Sequence, residues 1–104
     1  KNDSIQAITC VYLFHELPRN IREKVLKEFL RVLEPKGVLV LADSIQISDS
    51  PKFTSVMENF YKTFHEPFYC DYIKEDLDQK MNDIGFKDIN SNSFFMTKVW
   101  SAIK

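Results

Sequence analysis

Glycine is scarce. The 104 residues hold two, Gly37 and Gly85, and each follows a helical pattern, where a residue without Cβ caps a helix end at least cost. A loop that cradles a nucleotide or dinucleotide needs several close glycines so that backbone can approach phosphate or ribose, and none is left for that task. An excess of one charge is also missing. Lys and Arg number 14 against 15 Asp and Glu, a formal net charge of -1. That balance supplies no field to attract nucleic acid or an anionic membrane, so neither partner is expected. Two cysteines, Cys10 in an apolar run and Cys70 in an aromatic stretch, fit free thiols filling a core better than a disulfide framework. No signal-peptide pattern or membrane-length apolar run is present, and the chain reads as soluble and cytoplasmic. It also lacks repeats and low-complexity segments, which leaves one domain over residues 1–104, small for a complete doubly wound α/β enzyme. The first residue is Lys1, with an apolar run close behind, and this reads as a cut through a larger chain.

What is present begins with that run. Ile5 to Phe14 is rich in β-branched and aromatic residues and is followed by His15-Glu16-Leu17-Pro18. The pattern predicts a strand buried on both faces, as in parallel sheets. Open parallel sheets bind ligands beyond the carboxyl ends of their strands, so His15 and Glu16 stand where chemistry is expected.

Ile21, Val25, Leu26, Phe29, Leu30 and Leu33 then recur at helical spacing, with Arg22, Glu23, Lys24 and Lys27 on the face assigned to solvent. Pro18 suits the first turn, and Pro35 with Gly37 stops the helix. Val38 to Ala42 is a second continuously apolar strand, completing a right-handed strand, helix, strand unit. Asp43, Ser44 and Gln46 fall at its end. Ser50-Pro51 opens another helix, with Phe53, Val56, Met57, Phe60 and Phe64 along one face. A further helix is predicted from Asp71, as its cap, to Ile84, closed by Gly85. Phe86 to Asn90 is a strand, Ser91-Asn92-Ser93 a turn, and Phe95 to Ile103 a last strand antiparallel to it.

This order resembles the second half of a class I methyltransferase that uses S-adenosylmethionine. The resemblance rests on Asp3 before the first strand, on Phe14-His15-Glu16-Leu17-Pro18 after it, and on Glu28 to Gly37 ahead of the second. The last stretch is similar to the family's Arg-Val-Leu-Lys-Pro-Gly-Gly, with Glu34 for the Lys and Lys36 for the first Gly. The resemblance implies a partial Rossmann-like α/β fold in local strand order 4-5-7-6, the last strand antiparallel. It also implies that the first three strands, with the cofactor's glycine-rich loop and ribose-binding acid, belong to a missing half. S-adenosylmethionine is then the cofactor of the complete enzyme and is not expected to bind this chain alone.

Within that frame Val11 and Tyr12 approach the methionine part of the cofactor. His15 is the expected base, taking a proton from a hydroxyl, thiol or amine as the methyl group arrives. Its blander role is to orient a loop, with Glu16 favouring the positive end of the following helix. A zinc-peptidase reading fails, because no second histidine follows at helical spacing. Glu16, Asp43, Gln46, His65, Glu66 and Tyr69 are candidates to touch a small methyl acceptor. Asp43 and Gln46 have the alternative of bonding loop backbone. Phe53, Phe60 and Phe64 are expected in the core rather than around a ligand. The rival to a fragment of an enzyme is a non-catalytic α/β module. The opening strand is interior in the complete fold, whereas in this chain the edge of residues 5–14 is bare and invites a homodimer or a domain-swapped assembly.

Overall fold

Strand β1 (Ile5–Val11) and strand β2 (Leu33–Ser44) lie side by side and parallel, joined by helix α1 (Arg19–Val32), in the computed structural model, which describes residues 1–104. A 3-10 turn at Phe14–Glu16 leads into α1. After β2 come a 3-10 turn at Pro51–Phe53 and helices α2 (Thr54–Thr63), α3 (Tyr69–Lys74) and α4 (Leu77–Ile84). Strands β3 (Lys87–Phe94) and β4 (Thr97–Ile103) close the chain. The sheet order is β1-β2-β4-β3, with β4 antiparallel to both neighbours. This is the α/β arrangement that the family resemblance implied, last strand inserted.

One face of the sheet carries the core. Cys10, Leu39, Leu41, Trp100 and Ala102 alternate onto it and are buried against Leu26 of α1, Tyr72 and Ile73 of α3, and Leu77 and Met81 of α4. The other face has no helix over it. Pairing places Ala7, Val38 and Ile103 in one row, Thr9, Val40 and Ser101 in the next, and Val11, Ala42 and Val99 in a third, and none of these nine is buried. That corrects the expectation of a strand buried on both faces. In β1 only Cys10 is buried, and Val11 is 61% exposed. An apolar run signals two coverable faces, but it does not say that this chain supplies both covers.

Other boundaries also move. The first strand ends at Val11, and Tyr12, at φ 51, turns the chain toward the 3-10 turn. Gly37 is not a helix cap; it lies within β2, where an added Cβ would stand 2.8 Å from the Glu34 carbonyl oxygen and 3.2 Å from that of Gln6. The left-handed residue is Lys36, at φ 67. Gly85, at φ 122, does end its helix. The helix predicted from Asp71 to Ile84 is two, since Glu75 is extended and Asp76 caps the second by accepting the Gln79 N–H at 2.9 Å. Asp71 instead pairs with Arg19 and with Arg22, which is fully buried rather than on a solvated face. Ser91-Asn92-Ser93 belongs to β3, and the hairpin turns at Phe95, φ 56. In α2 only Met57 is buried, while Phe60 and Phe64 are 42% and 62% exposed, so those two rings are not core.

Candidate functional site

The carboxyl ends of the parallel strands meet where the sequence placed His15. Phe14, fully buried and stacked on Phe29 with ring centroids 6.4 Å apart, anchors the 3-10 turn and fixes the neighbouring imidazole. On the adjacent strand Asp43 points to the same side. Its carboxylate has no solvent exposure and accepts the His15 backbone N–H at 3.2 Å and the Ser44 N–H at 2.7 Å. His15 Nδ1 lies 2.8 Å from Asp43 Oδ1. A carboxylate already receiving two backbone donors accepts from Nδ1–H, and this leaves the Nε2 lone pair free.

Two tyrosines hold the imidazole in place from α3. The rings of Tyr69 and Tyr72 meet it edge-on, with centroids 6.1 and 6.4 Å away. Tyr69 and Ser44 join hydroxyls at 2.6 Å, and Tyr72 donates to the Ser44 carbonyl. Burial pushes both phenols up from their ordinary value, Tyr72 well up, and Asp43 adds to each. The two phenols therefore stay protonated and act here as hydrogen-bonding groups. Burial, then Asp43, likewise raises the Cys10 thiol, which agrees with a core filler.

A cleft of about 330 Å³ opens beside His15, walled by Tyr12, Ser44 and Thr97 at the strand ends and by Met57, Phe60 and Tyr69 from the helices. Its lining is mainly apolar with convergent hydroxyls, the usual make-up of a small-molecule site. Tyr12 and Thr97 close one side by joining oxygens at 2.5 Å. A larger hollow of about 480 Å³ between α4 and β3 is polar, lined by Asp76, Asp78 and Asp88 among others, and holds no candidate residue.

The candidates thus separate. His15, Tyr12 and Tyr69 line the cleft, and Glu16 and Glu66 stand at the histidine, with ligand atoms within 4.8 Å of its own. Asp43 lies behind His15 rather than in the cleft. Gln46 is buried elsewhere, its amide donating to the Tyr72 and Glu75 carbonyls, the backbone-bonding role. Val11 is exposed on the open face, and His65, at φ 54, is exposed outside the cleft. Reading residues singly missed the His15–Asp43 pairing. Its signal was available, since two parallel neighbours bring the residues after their ends together. The cleft walls from Met57 and Phe60 were missed because a helical stripe looks the same whether a core or a cavity lies against it.

No family model and no curated protein matches the sequence. Solved structures do match. A possible exported protein from Bordetella parapertussis superposes with a TM-score of 0.72 at 15% identity, covering 100% of this chain and 40% of that one. A putative O-methyltransferase from Nostoc punctiforme gives 0.70 at 16%, over 100% of this chain and 33% of the other. Human N-acetylserotonin methyltransferase, in complex with SAM, gives 0.70 at 11%, over 100% and 31%. The chain spans 31% to 40% of the length of these structures. With the strand order, these likenesses give this chain a methyltransferase-like fold.

Proposed function

We propose that this chain is the acceptor-side part of an S-adenosylmethionine-dependent methyltransferase, with His15 as general base for a small-molecule acceptor. The observation that carries the reading is the His15–Asp43 pair, at 2.8 Å, opening onto an aromatic-walled cleft at the ends of parallel strands. An acceptor ring rests against Phe60 and Tyr69, and its hydroxyl, thiol or amine hydrogen faces Nε2. His15 takes that proton, and Asp43 on the opposite ring nitrogen stabilises the resulting imidazolium. The apolar wall excludes water and fixes the approach, so positioning supplies much of the effect.

The residues present do not make a complete site for the cofactor. Gly37 is held in β2 and Gly85 ends α4, so neither belongs to a cradling loop. Val11 and Tyr12, the residues expected beside the methionine part of the cofactor, are both exposed, and of the two only Tyr12 lines the cleft. Calorimetry with S-adenosylmethionine is expected to show no binding to this chain, and the chain extended by its upstream reading frame is expected to bind and to lose turnover on His15→Ala. Micromolar binding by the chain alone overturns the division into halves; full turnover without His15 overturns the base.

A second reading, a self-associating module without catalysis, is favoured by one observation. Ile5 to Leu13 carries no charge, and β1 has a partner on one side alone. Such an edge templates another strand. On this reading we propose a homodimer or swapped assembly through residues 5–14.

A further inference from the structure

Three cation-ligating groups converge at the rim of the cleft. His15, Glu16 and Glu66 offer one imidazole nitrogen and two carboxylate oxygens, all within 4.8 Å of one another. They come from separate segments. His15 and Glu16 lie in the 3-10 turn after β1, and Glu66 in the connection between α2 and α3, where its N–H donates to the Tyr61 carbonyl at 3.0 Å.

One observation sets this cluster apart from ordinary surface acids, the imidazole's orientation. Asp43, fully buried, takes Nδ1–H, and so Nε2 is the nitrogen turned toward the carboxylates, 3.8 Å from Glu16 Oε1. A metal-bound histidine is held in this way, with a buried carboxylate on its far nitrogen setting tautomer and ring angle. No Lys or Arg neutralises either glutamate: Glu16 has no ionic partner except His15, and Glu66 has none within 4.0 Å.

We propose that His15 Nε2, Glu16 and Glu66 bind one divalent transition-metal ion of the zinc, cobalt or nickel class. One nitrogen and two oxygen donors suit that class better than calcium or magnesium, which take oxygen ligands. Donors about 2.1 Å from such an ion sit roughly 3.4 Å apart in a tetrahedron. Closing from 4.8 Å is within reach of side-chain rotation, since Glu16 is 56% exposed. Three protein ligands leave a fourth position for water.

The Nε2 lone pair holds either a proton or the ion. Resting on the base assignment above, the ion therefore switches off proton uptake and inhibits transfer. Binding itself does not depend on that assignment, and the test reads binding.

The experiment is titration of this chain with Co2+, followed by visible absorption, and with Zn2+, followed by calorimetry. One ion per chain is expected. Glu66→Gln and His15→Gln each weaken binding by about tenfold or more, and Asp43→Asn does so through the imidazole's orientation. His65→Ala and Cys70→Ser, which remove nearby donors outside the cluster, leave affinity unchanged. Circular dichroism checks that each variant is folded. Should Glu66→Gln fail to fold, the amide spectrum of the unsubstituted chain decides, with Co2+ shifts centred on residues 15, 16 and 66. Absence of saturable binding at millimolar ion overturns the proposal, as does a folded Glu66→Gln chain that binds as tightly as the parent, or shifts centred elsewhere. None of those results touches His15 as a base.

Discussion

His15 and Asp43 are 28 residues apart in sequence and meet at 2.8 Å, imidazole Nδ1 to a carboxylate that has no solvent exposure. That carboxylate also receives two backbone N–H groups, from His15 and Ser44. Three donors aimed at one buried acceptor leave no room for an amide. Asp43→Asn sets an NH2 against one of them and leaves a buried donor unmatched, a loss of about 2 kcal/mol. Urea unfolding at neutral pH measures it; an unchanged midpoint would show that Asp43 is not the organiser of this turn.

Arg22 is fully buried, and it ties α1 to Asp71 of α3, to Glu75 in the link between α3 and α4, and to the Leu17 carbonyl. The Arg19 guanidinium, and Arg22 after it, hold the Asp71 carboxyl below its ordinary 3.8. A lowered carboxyl stabilises the folded state fully above its unfolded value, and that contribution is lost as pH falls through the folded one. With the Asp71 side chain 44% exposed, water screens the pair, and Asp71→Asn costs no more than about 1 kcal/mol at neutral pH. The gap between parent and variant melting points narrows as pH drops below 3.8. A gap that stays constant from pH 7 down, in thermal melts across that range, counts against the pairing.

Lys36 and Gly37 are adjacent, and their requirements are the reverse of what their side chains suggest. Lys36 occupies the left-handed region at φ 67, and Lys36→Gly is expected to stabilise the chain by about 1 kcal/mol. Gly37→Ala forces a methyl to 2.8 Å from the Glu34 carbonyl oxygen, and this destabilises by roughly 2 kcal/mol. Melting temperatures should move in opposite directions.

The open edge of β1 predicts association. Sedimentation of the unsubstituted chain should show mass rising with concentration. Thr9→Lys, which places a charge on the exposed strand, should return it to a monomer. A chain that is already monodisperse and monomeric at high concentration would contradict the proposed contact.

Much of this architecture was legible. Apolar runs located β1 and β2, the 3.6-residue period located α1, and the family resemblance carried by the motifs around them implied the order β1-β2-β4-β3. What escaped depends on neighbours remote in sequence. Exposure of β1 is set by what covers its second face, and burial of Arg22 by carboxylates 49 and 53 residues away. The break at Glu75 was hidden because either Asp71 or Asp76 can cap a helix. In the site, His15 was visible from its place at a strand end. Asp43 was visible as a residue but not in its role, since a side chain that orients another has no motif of its own.

Asp43 fixes the neutral His15 ring as the Nδ1–H tautomer, with the Nε2 lone pair free to accept. Long-range proton–nitrogen correlation spectra of the 15N-labelled chain, recorded without metal at a pH where the imidazole is neutral, read that tautomer directly. A protonated, pyrrole-type Nδ1 and a pyridine-type Nε2 are expected for His15, with the pattern lost in Asp43→Asn. A proton on Nε2 in the unsubstituted chain would contradict it.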